Sequence, residues 1–238
     1  MQKELKEYYE QDGLKQHEEG HSLKAPIKAA KILKLVHFAS SDVVVDVGCA
    51  KGRVLAVLIS NVSCGIGIDL SLTVLQKAVK DQKIHYLCAD VNNIPLADEV
   101  ATKIVAVDLL EHVPNPKHAV LEMKRVLSTS GEIIIEVPYR GFLAKWLTSN
   151  FHEGHLRYYS PREIANEITS SGLFIQAMQY YNSVPLSTTI LKVERYLRFI
   201  KISNIASSLC GAIPWRLYPW FGEIMVVASK AKPIPNGR

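Results

Sequence analysis

Val43-Val44-Val45-Asp46-Val47-Gly48-Cys49-Ala50-Lys51-Gly52-Arg53-Val54-Leu55 is the stretch whose reading decides the fold. Three β-branched residues run into Asp46 as a buried strand does, Gly48 and Gly52 bracket a tight loop, and Val54, Leu55, Val57 and Leu58 open a helix. A strand, a glycine turn and a helix start place backbone N–H groups toward a ligand at the carboxyl edge of a parallel sheet. Gly48 is expected to take a positive φ and to let a ligand approach the main chain, and Gly52 to let the helix pack close to the sheet. The spacing excludes a phosphate loop of the form G-x-x-x-x-G-K-[ST], because Lys51 precedes the second glycine and no Ser or Thr follows. It also lacks the middle glycine of G-x-G-x-x-G, which admits a pyrophosphate. Asp46 at the mouth repels phosphate and attracts an ammonium group, so the ligand is expected to carry a positive amine.

The 238 residues suffice for one large α/β domain with an elaboration. A formal charge of +5 is too modest for a dedicated nucleic-acid binder, and no nucleic-acid partner is expected. Cys49, Cys64, Cys88 and Cys210 form no C-x-x-C pair and read as reduced core or loop residues of a cytoplasmic protein. The first ten residues are rich in charge and are not expected to hold an apolar signal region. The uncharged run Ile202 to Trp215 has 14 residues, short of the roughly 20 that a membrane span needs.

Outward from the opening stretch, strands and helices alternate. Residues 1–40 read as an N-terminal helical cap, with an amphipathic helix over Lys24 to Val36 and Tyr8, Tyr9 and His21 as candidate lid residues. Gly65 to Ile68 is a second strand with Asp69 at its end, about 20 residues beyond Gly48, the offset at which a carboxylate meets ribose hydroxyls. Ser71 caps a helix holding Val74, Leu75, Ala78 and Val79, and Ile84 to Cys88 is the third strand. Lys103 to Asp108 is an apolar fourth strand, Asn115-Pro116 opens a helix expected to run to Ser130-Gly131, and Glu132 to Val137 is the fifth. Leu173 to Tyr180 and Glu223 to Ala228 complete seven strands in a doubly wound sheet.

Four segments in order, D-V-G-C-A-K-G, G-I-G-I-D-L, Cys88-Ala89-Asp90-Val91 and Asp108-Leu109-Leu110-Glu111-His112-Val113, resemble the class I S-adenosylmethionine-dependent methyltransferases. They cover roughly residues 40 to 137, and the resemblance extends to the small-molecule members similar to those of ubiquinone and menaquinone biosynthesis. It implies a Rossmann-like, mostly parallel sheet with an antiparallel last strand, an N-terminal helical lid and a helical insertion before that strand. The core would then be residues 41–182 and 223–232. S-adenosylmethionine is the implied cofactor. Its site would comprise Asp46, Gly48, Cys49, Ala50, Gly52, Asp69, Leu70, Asp90, Val91, Asp108 and Leu109. The resemblance assigns Asp90 to the adenine amine, for which an acceptor-only carboxylate is the chemical match. The family usually has glycine where this chain has Ala50. Asp46, Asp69, Asp90 and Asp108 are expected at one edge, where a cationic ligand would relieve their repulsion.

Tyr139 to Tyr159 breaks the pattern with Phe142, Trp146, Phe151, His152, His155, Arg157, Tyr158 and Tyr159, and is the expected source of substrate choice. Ser160-Pro161-Arg162-Glu163 is a capping box, which accounts for Ser160 and Glu163 without function. His112, His155 and His152 are candidate general bases for an acceptor hydroxyl or amine. No metal is expected, since His152 and His155 have no third ligand nearby in sequence. Within residues 183–222, the segment 188–221 joins a basic amphipathic period to the aromatic run Pro214 to Phe221. It reads either as a surface resting on lipid headgroups or gripping an apolar substrate, or as a lid on the protein's own core. The function expected is in-line methyl transfer to a small-molecule or lipid-like acceptor. A cofactor-binding module without catalysis and a NAD-dependent oxidoreductase are the alternatives.

Overall fold

The computed structural model describes residues 24–140, 154–182 and 221–232. Along the chain come α1 (Lys24–Leu35), β1 (Val43–Val47), α2 (Arg53–Leu58), β2 (Cys64–Asp69), α3 (Leu72–Leu75), β3 (Ile84–Cys88), β4 (Ala101–Val107), α4 (Pro116–Val126), β5 (Leu127–Arg140), α5 (Pro161–Ser170), β6 (Phe174–Asn182) and β7 (Phe221–Ser229). The strands form one sheet in the order β3-β2-β1-β4-β5-β7-β6. β1 to β5 pair in parallel, and β7 runs antiparallel to both β5 and β6. The fold is thus a doubly wound α/β sheet with its last strand reversed, as expected.

Adjacent residues of the central strands point to opposite faces, and both faces are covered. Val45, Ile104 and Ile133 join one core with Val120 and Met123 of α4 and Ile164 of α5. Their neighbours Val44, Val105 and Ile134 join the other with Ile32 of α1 and Leu55 and Leu58 of α2. Strand order reverses between β1 and β4, so a crevice opens outside their carboxyl ends.

Several boundaries differ from the sequence reading. α4 stops at Val126 rather than at Ser130-Gly131, because Leu127 turns extended and pairs with Ala101, starting β5 early. The helix after Ser71 closes after one turn, although the Ser71 cap on Val74 is present. Phe221 and Gly222 belong to β7 and not to the segment before it. The candidate lid residues Tyr8, Tyr9 and His21, most of Tyr139 to His152, Cys210 and nearly all of 183–222 lie outside the described residues.

Candidate active site

The loop from β1 to α2 is folded by its own backbone and by β2. Gly48 and Cys49 donate their N–H groups to the Ile68 carbonyl at 2.8 and 3.0 Å, and Ala50 donates to Asp69 Oδ2 at 2.8 Å. Gly48, Ala50 and Gly52 all have positive φ, of 74°, 47° and 67°. Ala50 therefore adopts a conformation that glycine takes more readily. A Cβ on Gly48 would meet Leu109 Cδ1 at 2.8 Å, so Gly48 also makes room for the loop after β4. At Gly52 a Cβ would collide with the Tyr86 hydroxyl on β3.

Asp46 is 3% exposed, and no lysine, arginine or histidine pairs with it among the described residues. Burial, with the Asp69 carboxylate adding to it, pushes its pKa up to about 7, against the pull of the Leu55 N–H. Cys49 is buried beside both carboxylates, and burial first, then their charge, holds its thiol protonated. Asp69 also accepts from Ser71 N at 3.0 Å, so it organises the loop whatever else it binds. Asp90 accepts from Asn92 N at 2.8 Å in a turn after β3, next to Val91. Cys88 Sγ approaches the Leu70 carbonyl, which ties the ends of β2 and β3 together.

Asp108, at φ 49°, ends β4 and behaves differently from Asp46. The buried Lys28 of α1 donates to Asp108 Oδ2 at 2.6 Å and Glu136 Oε1 at 2.7 Å, with Glu223 Oε1 at 3.5 Å. Burial opposes the charge on Lys28, but the three carboxylates outweigh it and raise its pKa. Of the four aspartates expected at this edge, Asp108 is thus, among the described residues, the one that the chain itself supplies with a cation. Lys28, Glu136 and Glu223 were missed by sequence reading. The signals were a lysine on the apolar face of α1 and a glutamate inside the apolar run of β5.

After Asp108 the chain turns through His112 N to Leu109 O at 2.9 Å, burying Glu111 completely. The segment 154–159 closes over this turn. Leu156 N donates to Glu111 O at 2.8 Å, and the Arg157 guanidinium reaches the carbonyls of Leu110, Val113 and Pro114. His112 Nδ1 lies 2.9 Å from the Gly154 carbonyl, and the His112 and His155 rings meet edge to face at 4.7 Å. Two of the three candidate bases are thus brought together, and His152 lies outside the described residues.

Residues 45–135 match a family described as a methyltransferase domain. That stretch, which holds the cofactor loop and the turn after β4, is similar to methyltransferase domains. Around and beyond the methyltransferase domain, the chain is 25% identical over 162 residues to a malonyl-[acyl-carrier protein] O-methyltransferase of Marinomonas sp., 64% of this chain and 60% of that one. It is 25% identical over 171 residues to a ubiquinone biosynthesis O-methyltransferase of Nitrosomonas europaea, 62% of this chain and 70% of the relative. In shape it is similar to Haemonchus contortus phosphoethanolamine N-methyltransferase 2 solved with S-adenosyl-L-methionine. That likeness has a TM-score of 0.60 at 16% identity over 87% of this chain and 53% of that chain. The residues of the methyltransferase domain fit a sulfonium nucleoside with an ammonium tail, because the buried Asp46 carboxylate beside Asp69 ionises readily only with a cation against it.

Proposed function

We propose that the chain is an S-adenosylmethionine-dependent methyltransferase acting on an oxygen of a small-molecule or lipid-like acceptor. The observation that carries this reading is Asp46: a buried carboxylate at the switch point of the sheet, destabilised by Asp69 and compensated by no cation of the described chain. Asp46 and the Gly48 to Gly52 loop hold the amino-acid end of the cofactor, Asp69 the ribose hydroxyls, and Asp90 with Val91 the adenine edge. When bound, S-adenosylmethionine supplies a sulfonium methyl that a nucleophile displaces in line with the sulfur.

The chain's remaining work is alignment and exclusion of water. Leu109 packs on Gly48, so the loop after β4 sits directly against the cofactor loop and carries His112 with it. The acceptor hydroxyl is placed on the side of His112 and His155, whose ring nitrogens draw its proton away as the oxygen bonds to carbon. The oxygen assignment follows the O-methyltransferase names of the two relatives. The test is incubation with methyl-labelled S-adenosylmethionine and a panel of hydroxylated and carboxylated apolar acceptors. Labelled methyl ether or ester with equal S-adenosylhomocysteine supports the reading. Cofactor binding with no transfer to any acceptor overturns it in favour of a binding module.

A further inference from the structure

Lys28 is a charge placed where an apolar side chain would serve packing as well. It lies on the face of α1 that carries Ala25, Ala29 and Ile32 inward, and only 5% of it is exposed. The strands beneath are apolar on that side, with Val105, Ile134, Met225 and Val227 packed in one core with Ile32. Replacing a buried ion cluster by apolar side chains is often neutral or stabilising, so stability alone does not explain why charges occupy these positions.

The cluster ends at the cofactor edge. Asp108 follows β4 with a φ of 49°, a left-handed conformation that residues other than glycine take at a cost. The turn sends three successive residues to three places. Asp108 Oδ2 meets Lys28 Nζ at 2.6 Å, Leu109 packs over Gly48, and Leu110 is fully buried in the core on the opposite face of the sheet. From the side of β5, the Asp108 N–H donates to the Glu136 carbonyl at 3.1 Å, while Lys28 bridges the Asp108 and Glu136 side chains. Lys28 thus fixes the side-chain direction where the backbone leaves the strand, and Leu109, the next residue, inherits that direction.

We infer that Lys28 is a positioning residue for the cofactor site: by holding Asp108 it keeps Leu109 against Gly48, so that the seating of α1 and the binding of a ligand at the Gly48 to Gly52 loop favour each other. The coupling is reciprocal, as linkage between two equilibria requires. Lys28 acts through Asp108 and Leu109 and is not itself a catalytic residue. For the identity of the ligand this inference rests on the functional reading above; for the path from α1 to the loop it does not. Glu223 supplies the control, since it lies 3.5 Å from Lys28 and 2.6 Å from Lys31. Its loss leaves the bonds of Lys28 to Asp108 and Glu136 in place.

The test titrates S-adenosylhomocysteine into the folded wild type and its variants by calorimetry, well below the unfolding temperature. Lys28→Met should weaken binding about tenfold, whereas a residue that only stabilises the fold leaves the affinity of the folded protein unchanged. Asp108→Asn keeps the bulk and breaks the same link, so it carries the test if Lys28→Met fails to fold. The double variant should bind within about twofold of either single one, because both interrupt one path, and Glu223→Gln within about twofold of wild type. Affinity within about twofold of wild type in the folded Lys28→Met protein, or additive losses in the double variant, overturns the inference. A ligand-free arm follows the nuclear Overhauser contact between the Leu109 methyls and the Gly48 α-hydrogens, expected in the wild type and lost in Lys28→Met. Loss of that contact in a protein that never binds S-adenosylhomocysteine would sink the methyltransferase reading and leave the positioning role standing. Binding by the wild type with the contact intact in Lys28→Met would sink the positioning role alone.

Discussion

Asp46 and Ala50 show how single residues carry the cofactor loop. Asp46 has its folded pKa raised from 3.8 to about 7, first by burial and then by Asp69. A raised carboxylate pKa means that Asp46 favours the folded, unliganded protein below about pH 4 and progressively loses that contribution as pH rises through 7. A cationic amine needs the ionised form, so the sign for binding is opposite. S-adenosylhomocysteine should bind about tenfold more weakly at pH 6 than at pH 8, and Asp46→Asn should flatten that profile and weaken binding throughout. Calorimetric titration at the two pH values reads both. Gly48 and Gly52 were legible in the sequence as turn glycines because few other residues take their φ. Ala50 was not, since an alanine gives no local sign that it must adopt a left-handed backbone.

The elements that matter most to the site are β4, the turn after it, and the segment 154–159. β4 was legible as an apolar run buried on both faces, and Ser160 with Glu163 as a capping box, which the structure contains. What the sequence could not disclose is that Arg157 fastens this segment to the turn by serving three backbone carbonyls at once. The guanidinium fork matches that array and an ammonium does not. Arg157→Lys should therefore lower stability by about 1–3 kcal/mol, read by denaturant unfolding, because carbonyls inside the turn lose their donors. An unchanged midpoint would show that the clamp is dispensable. The early end of α4 is a similar case: Leu127 has no local reason to leave the helix, and its pairing with Ala101 decides it.

At the scale of the whole molecule, the buried Lys28 ties the N-terminal helix to the ends of β4, β5 and β7, joining residues 80 to 195 positions apart in the chain. Lys31 adds a second contact to Glu223 at 2.6 Å. Such a network is invisible in a single sequence, which shows the charges but not who meets whom. Lys28→Met keeps the bulk and removes the charge, leaving three carboxylates facing one another. We expect a loss of about 3–5 kcal/mol at neutral pH. Glu136, with a pKa raised by burial to about 7 even with Lys28 beside it, becomes harder still to ionise. The loss should thus be larger at pH 8 than at pH 6, which thermal unfolding at both values checks; an equal loss would place the damage in packing instead. The sheet order was legible because alternating strands and helices admit few topologies. The aromatic stretch that follows β5 and the segment before β7, from which the sequence reading expected the substrate contacts, lie largely outside the described residues.

The claim on which the functional account turns is that the carboxyl edge around Asp46 and Asp69 receives a sulfonium nucleoside. Isothermal titration of the purified protein with S-adenosylhomocysteine tests it most directly. Saturable binding of one molecule per chain, weakened more than about tenfold in Asp69→Ala and absent with NAD, is the predicted result. No heat of binding at millimolar S-adenosylhomocysteine, or equal affinity in a folded Asp69→Ala protein, would contradict it.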